Sequence, residues 1–147
     1  MYLIKQIYAE ETYPIRQVVL RKGGPIETCV FDGDLDENTF HLGILSNTDL
    51  IGVASFMKNK FPLFSEDEQY QLRGMAILKE FQHQGLGKRL IEEGENILNK
   101  RKVDLLWFNA REIAVEFYKN KGYIIAGDAF TIPNIGIHYV MLKKLSS

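Results

Sequence analysis

The stretch Gln82-His83-Gln84-Gly85-Leu86-Gly87-Lys88 decides how this sequence is read. It follows a β-prone run, Tyr70 to Ile77 with its continuation Leu78-Lys79-Glu80, and it opens an amphipathic one. From Gly85 onward Leu86, Leu90, Gly94, Ile97 and Leu98, with Ile91 at the edge, share one stripe at helical spacing. Lys88, Arg89, Glu92, Glu93 and Glu95 then face outward. Glycines at this point let the backbone approach a ligand closely, and the first amides of a helix lack intrahelical partners. With the positive end of the helix they make an anion site suited to a pyrophosphate, to which Lys88 and Arg89 can add charge. Two glycines at a helix start are equally compatible with a plain structural turn, so the neighbouring sequence has to decide.

Two familiar phosphate loops do not fit. A nucleoside-triphosphate loop needs Ser or Thr after its Gly-Lys, and here Arg89 follows Gly87-Lys88. A dinucleotide loop needs three glycines near the first strand of its βαβ unit and an acidic residue ending the second strand, whereas the strand after this helix ends in Phe108-Asn109.

Working outward, Val103 to Phe108 is a compact apolar run bounded by charge, as a buried strand would be, and Ile113 to Asn120 predicts a helix ended near Gly122. Tyr123 to Ala126 and Ile137 to Leu142 supply two further strands. On the N-terminal side, Phe40 to Leu45 and Leu50 to Met57 flank Ser46-Asn47-Thr48-Asp49, a hairpin signal. Tyr2 to Ile7 is a first strand. Thr12 can cap a helix that accepts Pro14 in its first turn and turns Ile15, Val18 and Val19 inward, with Gly23-Gly24-Pro25 as the stop. Residues 26–38 read as an acidic loop on the rim of a site, and residues 58–68 as a polar and aromatic loop. The order β-α, hairpin, β-α-β-α-β-β predicts a single α/β domain over residues 1–147, with a mixed, mostly antiparallel sheet flanked by helices.

Length and composition agree with one soluble domain: 147 residues, 46% hydrophobic and 25% charged. A formal charge of -1 argues against a dedicated nucleic-acid binder. A membrane span needs about 18 uninterrupted apolar residues, and no segment approaches that. The acidic, non-apolar start is unlike a signal peptide. Cys29, the sole cysteine, permits no internal disulfide and no cysteine-rich zinc site, and reads as a small buried hydrophobe. The expected location is the cytoplasm. His41, His83 and His138 are widely spaced, so no metal site is expected.

With these elements in place the chain resembles the GNAT superfamily of acyl-CoA-dependent N-acyltransferases. The family's pyrophosphate signature, Arg or Gln, two residues, Gly, one residue, Gly or Ala, is matched by Gln82, Gly85 and Gly87. Leu72-Arg73-Gly74-Met75-Ala76-Ile77 is similar to its central strand, and Asn109, Ala114, Phe117-Tyr118, Lys121 and Gly122-Tyr123 to its second signature. The likeness is dense over residues 69–125. The closing Phe130, Gly136-Ile137-His138 and Met141 are similar to a small bacterial subgroup.

The resemblance implies a GNAT fold and acetyl-CoA, or another acyl-CoA, as co-substrate. The pantetheine would lie along Met75, Ala76 and Ile77, and the pyrophosphate against Gln82, His83, Gln84, Gly85, Leu86, Gly87 and Lys88, with Asn109, Phe117 and Tyr118 also near the cofactor. Amine attack on the thioester makes an oxyanion and then a thiolate. The oxyanion needs a donor, expected from the backbone of Met75 to Ile77 with Ala76 at its centre. The thiolate needs a proton, expected from Tyr118, with Asn109 bonding the cofactor or orienting a water. Tyr118 is also suited simply to fill the groove between helix and sheet.

A base must keep the amine neutral. Glu80, His41, His138, Glu68 and the acids of residues 32–37 are all candidates, and sequence does not choose among them. Arg16 and Arg21 lie on or after the first helix, which by the resemblance helps wall the acceptor side. There they read first as solvated surface residues and otherwise as partners for a carboxylate or phosphate on the acceptor, whereas Arg73, inside a strand, must reach a rim or pair with an acid. The acceptor is expected to be an amine of a small molecule or peptide. A non-catalytic acyl-CoA-binding domain is the alternative, and a purely structural or partner-binding domain would need no cofactor. The family often pairs subunits, so a homodimer is expected, and the C-terminal strand Ile135 to Leu142 either completes its own sheet or meets a partner.

Overall fold

Alternating apolar residues and short turns build the sheet strand by strand. The computed structural model describes residues 1–145. β1 (Tyr2–Ile7) pairs antiparallel with β2 (Phe40–Ser46), which turns through Asn47, at φ +57°, into β3 (Asp49–Lys58). β3 pairs antiparallel with β4 (Gln69–Ile77), and β4 runs parallel to β5 (Leu105–Arg111). β5 is antiparallel to β7 (Gly136–Lys144), and β6 (Ile124–Ile132) closes the edge beside β7. The strands form one sheet in the order β1-β2-β3-β4-β5-β7-β6. The parallel pair β4 and β5 is joined through a helical crossover, as a parallel connection requires, while the hairpins β2–β3 and β6–β7 make antiparallel neighbours.

Helix α2 (Leu86–Lys100) covers one face of the sheet, packing Leu86, Leu90, Ile91 and Leu98 against Leu42, Phe56, Leu72, Leu106 and Phe108. Gly94 lets it come close: a Cβ there would run into the Phe56 ring. Helix α1 (Ala9–Val19) covers the other face, where Ile15 meets Val53 and Ala76. Beyond β5, Leu105 and Trp107 on that same face pack with Val140 and Leu142.

Several sequence expectations are corrected. α1 begins at Ala9 rather than after Thr12, because Glu11 reaches back to accept a bond from the Tyr8 backbone N–H at 2.8 Å. Thr12 is instead buried within the helix and donates to Ala9 O, and Pro14 lies in the interior, not in the first turn. The helix expected over 113–120 divides into a 3₁₀ turn, Glu112–Ala114, and the short α3 (Val115–Lys119). Glu95 does not face outward: it accepts from the Tyr123 hydroxyl at 2.6 Å and from Lys143 Nζ at 3.0 Å. The last two strands are longer than expected, since a bulge between Ala126 and Phe130 breaks their alternation. β7 lies inside the sheet, so the free edges are β1 and β6.

Candidate active site

β4 and β5 pair over three positions only, Gln69 to Gln71 with Leu105 to Trp107, and then part. A bulge on β4 accounts for the divergence. Arg73 stands opposite Ser55 and Ala76 opposite Val53, which leaves one residue more on β4 than on β3. Such an insertion bends its strand and raises its local twist. Gly74 makes the bulge at φ +63°, where a Cβ would come within 2.8 Å of the Phe31 ring. β5 meanwhile stays in unbroken register with β7. The separation opens a cleft of about 440 Å³, lined by Leu72 to Met75 on one strand, Phe108 to Arg111 on the other, and Phe31 and Tyr118 on its flanks.

Backbone alternation fixes which amides face this cleft. Leu78 N–H donates to Ile51 O at 2.9 Å, so Leu78 bonds toward β3. Counting back along an antiparallel ladder, Ala76 also turns its polar groups to β3, while Met75 and Ile77 turn theirs to the open side. Ala76, expected at the centre of the donor group, therefore has its N–H committed to the sheet, and its side chain is buried beneath α1. The carbonyl of Ile77 accepts from Gln82 Nε2 at 2.9 Å, which ties the following loop to the strand end.

That loop winds tightly into α2. His83 has φ +65° and Gly85, the N-cap, φ +79°. Nothing lies within 4 Å of a Cβ placed on Gly85, whereas one on Gly87 would touch the Met75 side chain at 3.4 Å. Gln82, His83, Gln84 and Lys88 are exposed, and Gln84 accepts from the Tyr2 hydroxyl at 2.6 Å. Leu86 is a core side chain, so only its backbone can face a ligand. The loop leaves open, unfilled room at the first amides of a helix of 15 residues, which fits a phosphate-bearing ligand.

Tyr118 sits where α3 meets the cleft, its ring 4.4 Å from Phe108 and 6.2 Å from Tyr123 between centroids. It both fills the groove and lines the opening. Burial pushes its hydroxyl up to about 12, so the proton is held throughout the neutral range. Asn109 is exposed on the cleft wall, in register with Val140. Phe117 is neither core nor cleft lining: it is 40% exposed, with Lys121 over its ring.

Arg16 is the largest correction on the α1 side of the sheet. Expected at the surface, it is wholly buried and pairs bidentately with Asp34 at 2.7 and 2.9 Å. It also donates to Cys29 O at 2.7 Å and to Ser55 Oγ at 2.8 Å, and lies 3.8 Å over the Phe31 ring. Sequence spacing could not reveal a partner 18 residues away in an acidic loop. Ser55 Oγ in turn lies 2.6 Å from His41 Nδ1, and His41 Nε2 lies 3.0 Å from Asp34 O. A carbonyl only accepts, so Nε2 carries the proton and Nδ1 receives the Ser55 hydroxyl. Burial lowers the pKa of this imidazole. His41 is thereby a structural member of the loop brace.

The other candidate bases are dispersed. His138 is buried with Nδ1 2.9 Å from Gly136 O, Glu68 pairs with Lys58, and Glu80 is exposed beyond β4. Asp32 and Asp36 line a smaller hollow of about 260 Å³ that shares Gln71 and Arg73 with the main cleft. Arg73 reaches the rim, its guanidinium 4.7 Å over Phe31. Among the described residues no group of three or more His, Cys, Asp or Glu could hold a metal ion, and no helix is long and apolar enough to cross a membrane.

Comparison with known proteins agrees with this geometry. The chain is 40% identical over 145 residues to the uncharacterised N-acetyltransferase YitI of Bacillus subtilis (strain 168), covering 99% of this chain and 97% of that one. Its fold matches the ribosomal-protein-S18-alanine N-acetyltransferase of Escherichia coli at TM-score 0.76, with 21% identity, 100% of this chain and 96% of that one. It matches an aminoglycoside 6'-N-acetyltransferase complexed with coenzyme A at TM-score 0.77, with 12% identity, 99% of this chain and 98% of that one. The sequence profile of the Acetyltransferase (GNAT) family covers residues 3–123. The chain belongs to the GNAT family of acetyltransferases.

Proposed function

We propose that this protein transfers an acetyl or other acyl group from acyl-CoA to a primary amine of a small molecule or peptide by direct attack. The parted β4 and β5 support this reading, because Met75, at the open amide edge of β4, and Tyr118 line one cleft. Acyl-CoA supplies the activated thioester. Met75 and Ile77 take the pantetheine arm as a short added strand, and the residues from Gln82 to Lys88 hold the pyrophosphate at the α2 N-terminus. The Met75 N–H is the donor for the developing oxyanion, in place of Ala76. Tyr118, still protonated because it is buried, gives its proton to the departing sulfur. Asn109 orients the cofactor or a water at the cleft wall.

A non-catalytic acyl-CoA-binding domain is favoured by one observation, that among the described residues no carboxylate or imidazole lines the main cleft. A deprotonating water reaching Asp32 or Asp36 through the adjoining hollow answers it. Calorimetric titration with acetyl-CoA, comparing wild type with Gly85→Trp, tests the proposal. Binding by wild type and its loss in a folded variant are expected, since a large side chain at φ +79° is strained and fills the room over the loop. No binding by wild type at millimolar acetyl-CoA would overturn it.

A further inference from the structure

The main cleft has an unbalanced charge. Among the described residues its lining includes Arg73 and Arg111 and no carboxylate, although the whole chain carries a formal charge of -1. Other arginines of this side have partners: Arg16 pairs with Asp34, although its buried Nε has none among the described residues, and Arg21 donates to the Thr28 carbonyl at 2.9 Å. Among the described residues neither Arg73 nor Arg111 has an acidic partner.

Their positions separate them from the pyrophosphate loop. Side chains alternate between the faces of a strand. Leu72, Phe108 and Ala110 belong to the core beneath α2, so Arg73 and Arg111 project to the opposite face, as the contact of Arg73 with Phe31 confirms. The N-terminus of α2 opens on its own face and has no use for them. They stand instead on the α1 side, one on each strand of the parted pair, where an acceptor must enter once the other side is taken by the cofactor arm. The Phe31 face holds the Arg73 guanidinium while leaving its edge donors free, and such an edge matches an oxyanion bidentately.

We infer that the amine acceptor carries an acidic group, carboxylate or phosphate, which Arg73 and Arg111 bind on the α1 side of the cleft. The inference rests on the acyltransferase reading and adds the class of acceptor to it. An acid held there leaves the amine of a small molecule to enter the gap toward the Met75 amide. Asp32 and Asp36, across Arg73 in the adjoining hollow, lie on the same side to attract its ammonium.

The test compares matched amines differing only in the acid: phenylalanine with phenethylamine, lysine with cadaverine, and phosphoethanolamine with ethanolamine. Thiol release is measured with acetyl-CoA, and calorimetry measures binding of each amine to CoA-saturated protein. At least one acid-bearing member is expected to exceed its partner about tenfold in kcat/KM, the factor one well-placed charged contact supplies. The phosphate and amino-acid pairs tell which anion is taken. Arg73→Gln and Arg111→Gln should each lower kcat/KM for the acid-bearing amine more than for its partner, and weaken its calorimetric binding, with acetyl-CoA affinity retained. Equal use of both members, equal losses in both, or failure of every acid-bearing amine to react and to bind overturns the inference. Acetyl-CoA binding in those cases leaves the acyltransferase reading standing, whereas no acetyl-CoA binding defeats that reading itself.

Discussion

The two sides of β4 are built on opposite terms. Toward β3 the strand is paired from Tyr70 to Ile77 except at the Gly74–Met75 bulge, and the loop packed over it is braced by Arg16, Asp34, Ser55 and His41. Toward β5 it is paired for three residues and then left open, with Arg73 and Arg111 lacking acidic partners among the described residues. Buried polar groups with partners make a unique structure, while polar groups left free around a cleft are available to a ligand. The contrast teaches that the α1-side wall of the cleft is a rigid part of the fold. Phe31 stands in the cleft because the loop carrying it is anchored by a buried ion pair.

The largest effect expected from breaking this contrast is at the ion pair. Asp34→Asn leaves Arg16 charged in a dry site, and removing one partner of a buried pair costs about 3–5 kcal/mol. Urea denaturation should show that loss, and the double replacement Arg16→Met with Asp34→Leu should recover part of it. A loss under ~1 kcal/mol for Asp34→Asn, the range of exposed pairs, would mean that water reaches the site.

On the open side, Tyr118→Phe keeps the ring packing on Phe108 and deletes the proposed proton donor. General-acid loss should lower kcat about a hundredfold, or ~3 kcal/mol of barrier, with acetyl-CoA affinity held in calorimetry. Because the hydroxyl is raised to about 12, its ionisation should leave the rate of wild type undiminished until the pH is well above 10. Wild-type stability follows the same sign: the folded state keeps the Tyr118 proton longer, so that contribution is whole below about pH 10 and is lost toward about 12. Unchanged kcat in Tyr118→Phe would reduce Tyr118 to a packing residue.

The bulge joins the two sides. Gly74→Ala puts a side chain at φ +63° against Phe31 and should cost about 1–2 kcal/mol in urea, the ordinary penalty for left-handed backbone in a non-glycine residue. Full stability would show that Phe31 moves freely, contrary to a braced wall.

What could be read from sequence follows the range of each interaction. The loop from Gln82 to Gly87, the stripe of α2 and the order of strands are local patterns, and they were legible. Tyr118 and Asn109 were legible through the motif around them, and the structure brings both to the cleft. Arg16 was not, because a buried cation is indistinguishable from a surface one until its partner is known. Arg73 was narrowed to a rim or an ion pair, and only the fold places it on the rim over Phe31. Arg111 was missed, since a charged residue ending a strand reads as solvated until the neighbouring strand parts from it. Alternation predicts side-chain faces but not a bulge, so the turned amide of Ala76 also needed the register with β3.

The smallest effect concerns the proton on His41. Its folded pKa lies below the ordinary value, first because burial disfavours the cation, which outweighs the Asp34 backbone bond and charge. The unfolded state then takes up a proton at higher pH than the folded state does. Stability from His41 is therefore whole above about pH 6.5 and falls as the pH drops through the folded value, by at most ~1.4 kcal/mol per pH unit for one proton. A protonated Nδ1 also turns a donor on Ser55, whose hydroxyl loses its acceptor while Arg16 still donates to it. Urea midpoints between pH 7.5 and pH 5 should decline in wild type, and decline less in His41→Gln, which cannot take up that proton. Identical slopes would leave acid sensitivity to the carboxylates and make the tautomer at His41 irrelevant to how the closed side of β4 is held.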